Sequence, residues 1–299
     1  MIRDGARARF PDSQAGFPTG TIAGQRPGAK GAGRVLLIGC GPGDPDLVTV
    51  RAMRRIGDAD VLVVDRLVGE EVLAYARPDA EVIAVGKEAG GPSTPQDEIN
   101  RVLVREALKG RLVARLKGGD AFVFGRAAEE IAAVRAAGIA VEIVPGITAA
   151  HACAASIALP LTLRESVRQF SLVTGATADG DVNLDWSSLS APGQAFAIYM
   201  GVRTARTLRQ KLLGAGAPAT LPVVVVENGA RANELAVATS LADLVDAIDA
   251  FGIKGPAIIF GGLDWNDANL TMPEKVHVFH ASADRAAGRA HAASASDAF

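Results

Sequence analysis

Short apolar, β-branched runs alternate with helical segments through the first half of the chain, and this alternation constrains the fold more than any other feature. Asp44-Pro45 places a capping residue before a proline, and Thr94-Pro95 is followed by Asp97 as the acidic member of a capping box. A third helix is expected from about residue 126 to a C-terminal glycine, Gly138. Strands that alternate with helices predict a mainly parallel sheet covered on both faces. The apolar runs are Val35–Ile38, Val61–Val64, Val82–Val85, Leu112–Leu116 and Val141–Val144.

The second half carries apolar runs with less regular spacing and one hairpin signal. Asn228-Gly229 lies between two runs, and this dipeptide favours a tight turn between antiparallel strands, so we expect a mixed sheet. The runs are Phe170–Val173, Ala195–Tyr199, Pro222–Val226, Glu234–Ala238 and Ala257–Phe260.

A boundary near Pro160–Arg164 divides the chain into two α/β lobes with a cleft between them, which is the usual position of a small-molecule site. The ends are rich in small and polar residues and predict disordered tails. The predicted divisions are a tail over 1–33, an N-terminal lobe over 34–162, a C-terminal lobe over 163–270 and a second tail over 271–299.

Composition excludes several classes of protein. Apolar residues make up 49% of the 299 positions, which is enough for sizeable cores. The net charge is −2 and aromatic residues are 5%, which argues against a nucleic-acid binder. Because the sequence contains neither an 18-residue apolar run nor a secretory signal, we expect a cytoplasmic protein without a membrane span. Cys40 and Cys153 are predicted to be free thiols, and no metal site is expected because the segment holding His277 and His280 looks extended.

Three glycine-containing loops follow predicted strands. Gly39–Asp44 follows the first strand, Lys117–Asp120 the fourth and Val144–Ala150 the fifth. The first loop is not a dinucleotide fingerprint, because its third glycine comes one position early and Pro42 removes a backbone donor. Each loop alone could be an ordinary strand-to-helix turn. Three of them at the carboxyl edge of one parallel sheet indicate a ligand site, and Asp65 ends the second strand at the same edge.

These motifs, in this order and at this spacing, resemble the uroporphyrinogen-III C-methyltransferases of the tetrapyrrole methylase family over about residues 34–263. The resemblance implies two α/β lobes, a homodimer, and S-adenosylmethionine bound in the cleft. It also implies transfer of two methyl groups to uroporphyrinogen III, at C2 and then C7, to give precorrin-2 for siroheme and cobalamin synthesis. The motifs are Gly39–Asp44, Val64–Val68, Val85–Lys87, Arg115–Arg126, Val144–Ala149 and Tyr199–Gly201.

The resemblance assigns roles to individual positions. Asp65 matches the family's proton acceptor and Lys87 its proton donor, although the residues alone are compatible with an Asp65–Arg66 ion pair and an exposed lysine. Because the substrate carries eight carboxylates, we expect a basic rim formed by Arg66, Arg126, Arg164 and Lys87. The implied S-adenosylmethionine contacts are Pro42, Gly118, Gly119, Asp120, Val123, Thr148, Ala149, Met200 and Gly229.

The chain departs from the family pattern at several positions, and other functions stay open. Leu163 and Ala176 stand where the family commonly has histidine near the lobe junction. The alternatives are a methylase of the same fold acting on a later precorrin or a macromolecule, a nicotinamide-dependent dehydrogenase, and a non-catalytic binding module. The other departures are Cys40 for alanine, Val64 for tyrosine and Ala121 for proline.

Overall fold

Two β-sheets organise the residues that the computed structural model describes, which are 33–86, 94–176 and 183–281. The first sheet contains β1 (Arg34–Gly39), β2 (Val61–Val64), β3 (Glu81–Ala84), β4 (Leu112–Lys117) and β5 (Ala140–Val144). Its strand order is β3-β2-β4-β1-β5, and all pairs are parallel. The predicted parallel sheet is therefore confirmed, with its carboxyl edge formed by the loops that follow the strands.

The first-sheet helices begin close to the predicted positions but not always with the predicted caps. Asp44 accepts a hydrogen bond from Asp46 N and starts a 3-10 turn, whereas α1 begins at Val50 with Thr49 as its cap. The expected capping box does not form, because Pro95 occupies the cap position and has no side-chain acceptor. The helices are α1 (Val50–Asp58), α2 (Gln96–Leu108), α3 (Ala127–Ala136) and α4 (Ala149–Ser156), with a further 3-10 turn over Glu70–Tyr75.

Alternate residues of each central strand are buried on opposite faces of the first sheet. Val35 and Leu37 pack in the core that includes Leu103 of α2, and Leu36 packs on the other side with Ile56 of α1. This two-sided burial explains why the strands read as continuous apolar runs.

The second sheet is mixed, as the hairpin signal predicted. It contains β6 (Gln169–Thr174), β7 (Gln194–Tyr199), β8 (Pro222–Glu227), β9 (Leu235–Ser240), β10 (Ala257–Gly261) and β11 (Val276–Val278), in the order β11-β9-β8-β10-β7-β6. The pair β8–β9 is antiparallel, whereas β6–β7 is parallel. The associated helices are α5 (Trp186–Leu189), α6 (Ala205–Gly214) and α7 (Leu244–Ala250), with a 3-10 turn over Val202–Thr204.

Elements on both sides of the range expected for the C-terminal lobe, 163–270, pack or pair with the second sheet. The small residues of α4, including Ala150 and Cys153, pack in the core of the second sheet with Phe260. At the other end, β11 pairs in parallel with β9, so the fold continues past residue 270. The remainder of the predicted tails, 1–32 and 282–299, lies outside the described residues. None of the helices in the described ranges combines the length and apolar character needed to cross a bilayer.

Candidate active site

The three predicted glycine loops meet at one point of the first sheet's carboxyl edge. Gly41 and Gly119 exchange two backbone hydrogen bonds, of 3.1 and 2.6 Å between N and O. A Cβ on Gly39 would lie 2.6 Å from Gly146 N and 2.8 Å from Gly119 O, so the backbones approach too closely for a side chain. We call Gly39, Gly41, Gly119 and Gly146 the glycine junction. It brings the loops after β1, β4 and β5 together.

Asp120 holds this junction from within. One carboxylate oxygen accepts a hydrogen bond from Phe122 N at 2.8 Å, and the other accepts one from Gly146 N at 2.9 Å. The first bond caps the turn that follows β4. The second crosses from the loop after β4 to the loop after β5, and this contact was not foreseen. Asp120 therefore fixes the relative position of two loops that the resemblance assigns to cofactor binding.

Thr148 connects the start of α4 to the second sheet. Its hydroxyl makes no cap bond but lies 2.6 Å from the hydroxyl of Tyr199, which also accepts a hydrogen bond from Ala150 N at 3.0 Å. Burial raises the pKa of Tyr199, so the phenol is neutral at physiological pH. Ala149 lies between these groups and faces Gly119, with its N 3.5 Å from the position of a Cβ there.

The turn between β8 and β9 contacts the first sheet's loops through Arg231. Its Nε donates to Pro42 O at 3.1 Å and its Nη2 donates to Leu67 O at 2.8 Å. Gly229 in the same turn packs directly against the Cys153 thiol, where a Cβ would overlap the sulfur. Arg231 was not predicted from the sequence, because no local pattern marks a side chain that reaches a loop so distant in the chain.

Left-handed backbone marks the same loops. Of the non-glycine residues with positive φ among the described ranges, five lie in the loops after β4, β7 and β8. Such conformations are strained for residues with a Cβ and cluster at functional sites. Met200, a predicted contact, has φ 55° and is half exposed next to Tyr199. The five are Phe124, Arg126, Met200, Asn228 and Ala230.

A cavity of about 680 Å³ opens beside the junction. This volume falls in the range of small-molecule sites. Of the nine predicted contacts, Thr148 lines it and the other eight do not; these are Pro42, Gly118, Gly119, Asp120, Val123, Ala149, Met200 and Gly229. Gly118 instead packs against Leu67, and Val123 N donates to Asp120 O at 3.3 Å. The cavity is lined by Asp44, Leu47, Gly146, Ile147, Thr148, His151, Ala152, Ala155, Ser156 and Ala230.

Asp65 pairs with a buried arginine and not with its neighbour Arg66. Its side chain is 37% exposed at the end of β2, and its Oδ2 lies 3.4 Å from Arg115 Nη2. Arg66 is exposed, with its backbone against Gly86. The Asp65–Arg66 pair considered from the sequence is therefore absent from the contacts of the described residues. Lys87, the expected proton donor, lies outside the described residues.

A buried charge cluster lies behind Asp65 and consists of Arg115, Lys117 and Glu130. Glu130 Oε1 accepts from Arg115 Nε at 3.0 Å and from Lys117 Nζ at 2.9 Å. Burial, with the nearby Arg115 charge, lowers the pKa of Lys117. No role was predicted for these residues from the sequence, although two charged residues at alternate positions of a buried strand indicate such a cluster.

The remaining predicted arginines are on the surface. Arg126 makes a bidentate ion pair with Glu129, at 2.7 and 2.6 Å, and is mostly exposed. Arg164 lies in the turn closed by the Leu163–Val167 bridge, and Ala176 follows β6 with its N bonded to the Thr174 hydroxyl. Within the described ranges, no group of three or more His, Cys, Asp or Glu side chains is arranged to hold a metal ion.

Comparison with known proteins shows the family to which this chain belongs. The family model for Tetrapyrrole (Corrin/Porphyrin) Methylases matches residues 34–245. The chain belongs to the tetrapyrrole methylase family. It is 42% identical over 257 residues to siroheme synthase 1 of Aeromonas salmonicida, which covers 86% of this chain and 54% of the relative. It is 41% identical to the siroheme synthase of Chromobacterium violaceum, over 87% of this chain and 61% of that relative. The chain thus spans about half to three-fifths of the length of these two siroheme synthases.

Solved structures agree with this membership in the tetrapyrrole methylase family. Uroporphyrin-III C-methyl transferase from Thermus thermophilus, complexed with S-adenosylhomocysteine, matches with a TM-score of 0.66 and 35% identity, over 77% of this chain and 92% of that one. A cobalt precorrin-4 methyltransferase matches with a TM-score of 0.68 and 28% identity, over 77% and 94% of the two chains. The family, the α/β fold and the enzyme class predicted from the motifs, a methyltransferase, are confirmed.

Proposed function

We propose that this chain transfers methyl groups from S-adenosylmethionine to uroporphyrinogen III, at C2 and C7, to give precorrin-2, a precursor of siroheme and cobalamin. The observation that carries the proposal is the glycine junction. It lies at the ligand-binding edge of the parallel sheet, in a member of the tetrapyrrole methylase family. The similar Thermus protein is named a uroporphyrin-III C-methyl transferase, and its crystal contains S-adenosylhomocysteine, the demethylated cofactor.

The residues of the junction fit S-adenosylmethionine. The glycines let the loops after β1, β4 and β5 approach so closely that their backbone groups meet at one point of the sheet edge. The adjoining cavity of about 680 Å³ has the size of a small-molecule site. When bound, the cofactor supplies a methyl group activated by its sulfonium. Its proposed contacts are Pro42, Gly118, Gly119, Asp120, Val123, Thr148, Ala149, Met200 and Gly229, all on loops that follow strands or at the start of α4.

The chain's own contribution is to position the reactants and to move protons. In-line displacement gains most of its rate from orientation, and the cross-links made by Asp120 and Arg231 hold the loops rigidly for that purpose. Methyl transfer makes the pyrrole ring cationic, so a proton must leave the macrocycle. Asp65, part exposed at the same edge, accepts that proton, which returns the ring to neutrality. Where Lys87 protonates a second position of the macrocycle, another ring proton leaves in the same step, so that the ring stays neutral.

The basic rim is proposed to bind the substrate's carboxylates. Arg66 and Arg164 are exposed, and Arg126 can share its fork between Glu129 and a substrate carboxylate. Arg126→Ala or Arg164→Ala should each raise the KM for the tetrapyrrole by about tenfold and leave the KM for S-adenosylmethionine within about twofold. Steady-state kinetics with each substrate varied in turn measures both constants. Equal effects on the two constants would remove these arginines from the substrate site.

A methylase acting on a later precorrin is the second candidate, because the cobalt precorrin-4 methyltransferase matches this fold equally well. The motifs Asp65–Val68 and Val85–Lys87 favour the uroporphyrinogen reaction. Leu163 and Ala176, which replace family histidines, are the positions to vary if the acceptor differs.

An anaerobic incubation with uroporphyrinogen III and S-adenosylmethionine, followed by mass spectrometry of the oxidised tetrapyrrole, tests the proposal. We expect a gain of two methyl groups that disappears when S-adenosylmethionine is omitted, and a strong reduction in Asp65→Asn. Binding of S-adenosylhomocysteine by calorimetry is the control for a folded site. No methyl gain with cofactor binding intact would reject uroporphyrinogen III as the acceptor.

We also propose that the chain is a homodimer and works in the cytoplasm. The dimer is supported by the resemblance on which the family was first identified, and light scattering over a range of concentrations tests it. A cytoplasmic location is supported by the two free, buried cysteines, which fit a reducing compartment. Fractionation of cells carrying a tagged chain tests the location.

A further inference from the structure

The buried charge cluster is an expensive arrangement, because its charged groups leave water to form it. Arg115, Lys117 and Glu130 are 2%, 4% and 0% exposed. Removing charged groups from water is expensive, and well-packed apolar residues of similar size are often as stable or more so. Among the described residues, Glu130 Oε2 has no hydrogen-bond partner, whereas its Oε1 serves Arg115, Lys117 and also Gln96, at 3.2 Å. Stability alone is therefore a weak explanation for the cluster.

The location of the cluster indicates another role. Arg115 and Lys117 are alternate residues of β4 and point to the face covered by α3, which carries Glu130. The register pairs Val63 of β2 with Arg115. The guanidinium therefore lies beneath the carboxyl end of β2, where Asp65 emerges.

Every edge of the Arg115 fork is engaged. Nε bonds to Glu130, and Nη1 donates to the carbonyl oxygens of Val63 at 3.3 Å and Leu116 at 3.1 Å. Nη2 is left to face Asp65. Because the planar fork is fixed by the other contacts, Nη2 offers a rigid donor to one carboxylate oxygen.

We propose that Arg115 is the positioning residue of Asp65, and that Glu130, itself held by Lys117, holds Arg115 for this task. The contact at Oδ2 orients the carboxylate and leaves Oδ1 as the atom that accepts the substrate proton. This inference rests on the proposed role of Asp65 as proton acceptor. Arg115 touches neither substrate nor cofactor in this scheme and acts through Asp65.

A double-mutant cycle tests the inference. Arg115→Met should lower kcat by about 10- to 100-fold, because a carboxylate displaced by about 1 Å loses that much, while both KM values stay within about twofold. Arg115→Lys should recover part of the rate. If Arg115 acts through Asp65, the variant with both Asp65→Asn and Arg115→Met is no slower than Asp65→Asn alone. A wild-type kcat in Arg115→Met, or losses that multiply in the double variant, would overturn the proposal.

Glu106 provides the matched control. It is a carboxylate that is 1% exposed, lies on α2 and pairs with Lys109, Arg105 and Arg111, away from Asp65. Glu106→Gln and Glu130→Gln should both lower the melting temperature, but only Glu130→Gln should lower kcat. Equal kcat values in the two glutamine variants would overturn the role proposed for the cluster. If Arg115→Met does not fold, Glu130→Gln replaces it as the test.

A spectroscopic measurement separates this inference from the proposed function. The side-chain carboxyl ¹³C resonance of Asp65, assigned by its loss in Asp65→Asn, should move in Arg115→Met and stay in place in Glu106→Gln. If the wild-type chain transfers no methyl group to uroporphyrinogen III, the proposed function fails, and the resonance still decides whether Arg115 sets the position of Asp65. An unmoved resonance in Arg115→Met would reject the positioning role.

Discussion

The hydroxyl of Tyr199 shows how one side chain can join two sheets at a site. Tyr199→Phe would leave the Thr148 hydroxyl and the Ala150 N–H without their shared partner. We expect a loss of about 1–3 kcal/mol in the free energy of unfolding, because buried polar groups lose their hydrogen bonds. The dissociation constant of S-adenosylhomocysteine should rise by about 3- to 10-fold, since Thr148 is a proposed contact. Urea unfolding and calorimetry measure the two quantities.

Tyr75, the other tyrosine of the chain, gives the control. Its hydroxyl donates to Pro45 O at 3.2 Å in a part-buried setting outside the glycine junction. Tyr75→Phe should cost at most about 1 kcal/mol and leave cofactor affinity unchanged. If both variants weaken cofactor binding equally, Tyr199 has no particular connection with the site.

The two buried cysteines should lower the stability of the fold at alkaline pH. Burial raises the pKa of the Cys40 and Cys153 thiols from an ordinary 9.0 to about 12. Between these values the unfolded thiols lose protons while the native thiols keep them, so the native state binds more protons and stability falls as pH rises. Raising the pH from 8 to 10 should lower the free energy of unfolding by about 1.4 kcal/mol for each thiol.

Cys153→Ala isolates one thiol's share of this dependence. Between pH 8 and 10 the free energy of unfolding of this variant should fall by about 1.4 kcal/mol less than that of the wild type. Urea titrations at the two pH values measure the difference. The native wild-type chain should also resist a thiol reagent at pH 8, because the thiolate is the reactive form. Rapid labelling of the native chain would show that these thiols are not buried as described.

At the scale of elements, the β8–β9 turn is attached to the first sheet's loops by Arg231. Arg231→Gln removes the donors to Pro42 O and Leu67 O and should free the turn that carries Gly229. We expect the dissociation constant of S-adenosylhomocysteine to rise by about tenfold, equivalent to the loss of about 1.4 kcal/mol of binding free energy. Isothermal calorimetry measures the change.

Arg209→Gln is the corresponding control. Arg209 also donates to a backbone carbonyl, Ala242 O at 2.8 Å, but within the second sheet's own layer. This variant should lower stability without changing cofactor affinity. If Arg231→Gln binds the cofactor as tightly as Arg209→Gln does, the turn does not contribute to the site.

Local signals predicted the elements better than the contacts between them. The β-branched runs, the Asn228-Gly229 turn and the strand-end glycines are short-range patterns, and the structure contains the strands, the hairpin and the junction that they predict. The capping box expected at Thr94 and Asp97 does not form, because Pro95 is the cap residue. The contacts of α4 and β11 with the second sheet were not predicted, because packing with distant strands places them. Arg115, Tyr199 and Arg231 act across long sequence separations, and no local pattern encodes their partners.

At the scale of the molecule, the two sheets share packing. The chain leaves the first sheet through α4. Ala150 and Cys153 of this helix, and Ile157 directly after it, belong to the core of the second sheet. Trp265 after β10 donates its indole N–H to Ile157 O at 3.2 Å. Together with Arg231 and Tyr199, these contacts make the site a product of both sheets. We therefore expect that unfolding of either sheet disturbs both the glycine junction and the β8–β9 turn.

Calorimetry tests this coupling directly. We expect one unfolding transition, because a shared core favours cooperative unfolding. S-adenosylhomocysteine at about 100 times its dissociation constant should stabilise the native state by about 2.7 kcal/mol and raise the melting temperature of the whole transition by roughly 5–10 °C. Arg231→Gln at the same ligand concentration should show a smaller shift, because its affinity is lower. Two transitions, with only one raised by the ligand, would mean that a single sheet holds the cofactor and that the contacts of α4 do not couple the sheets.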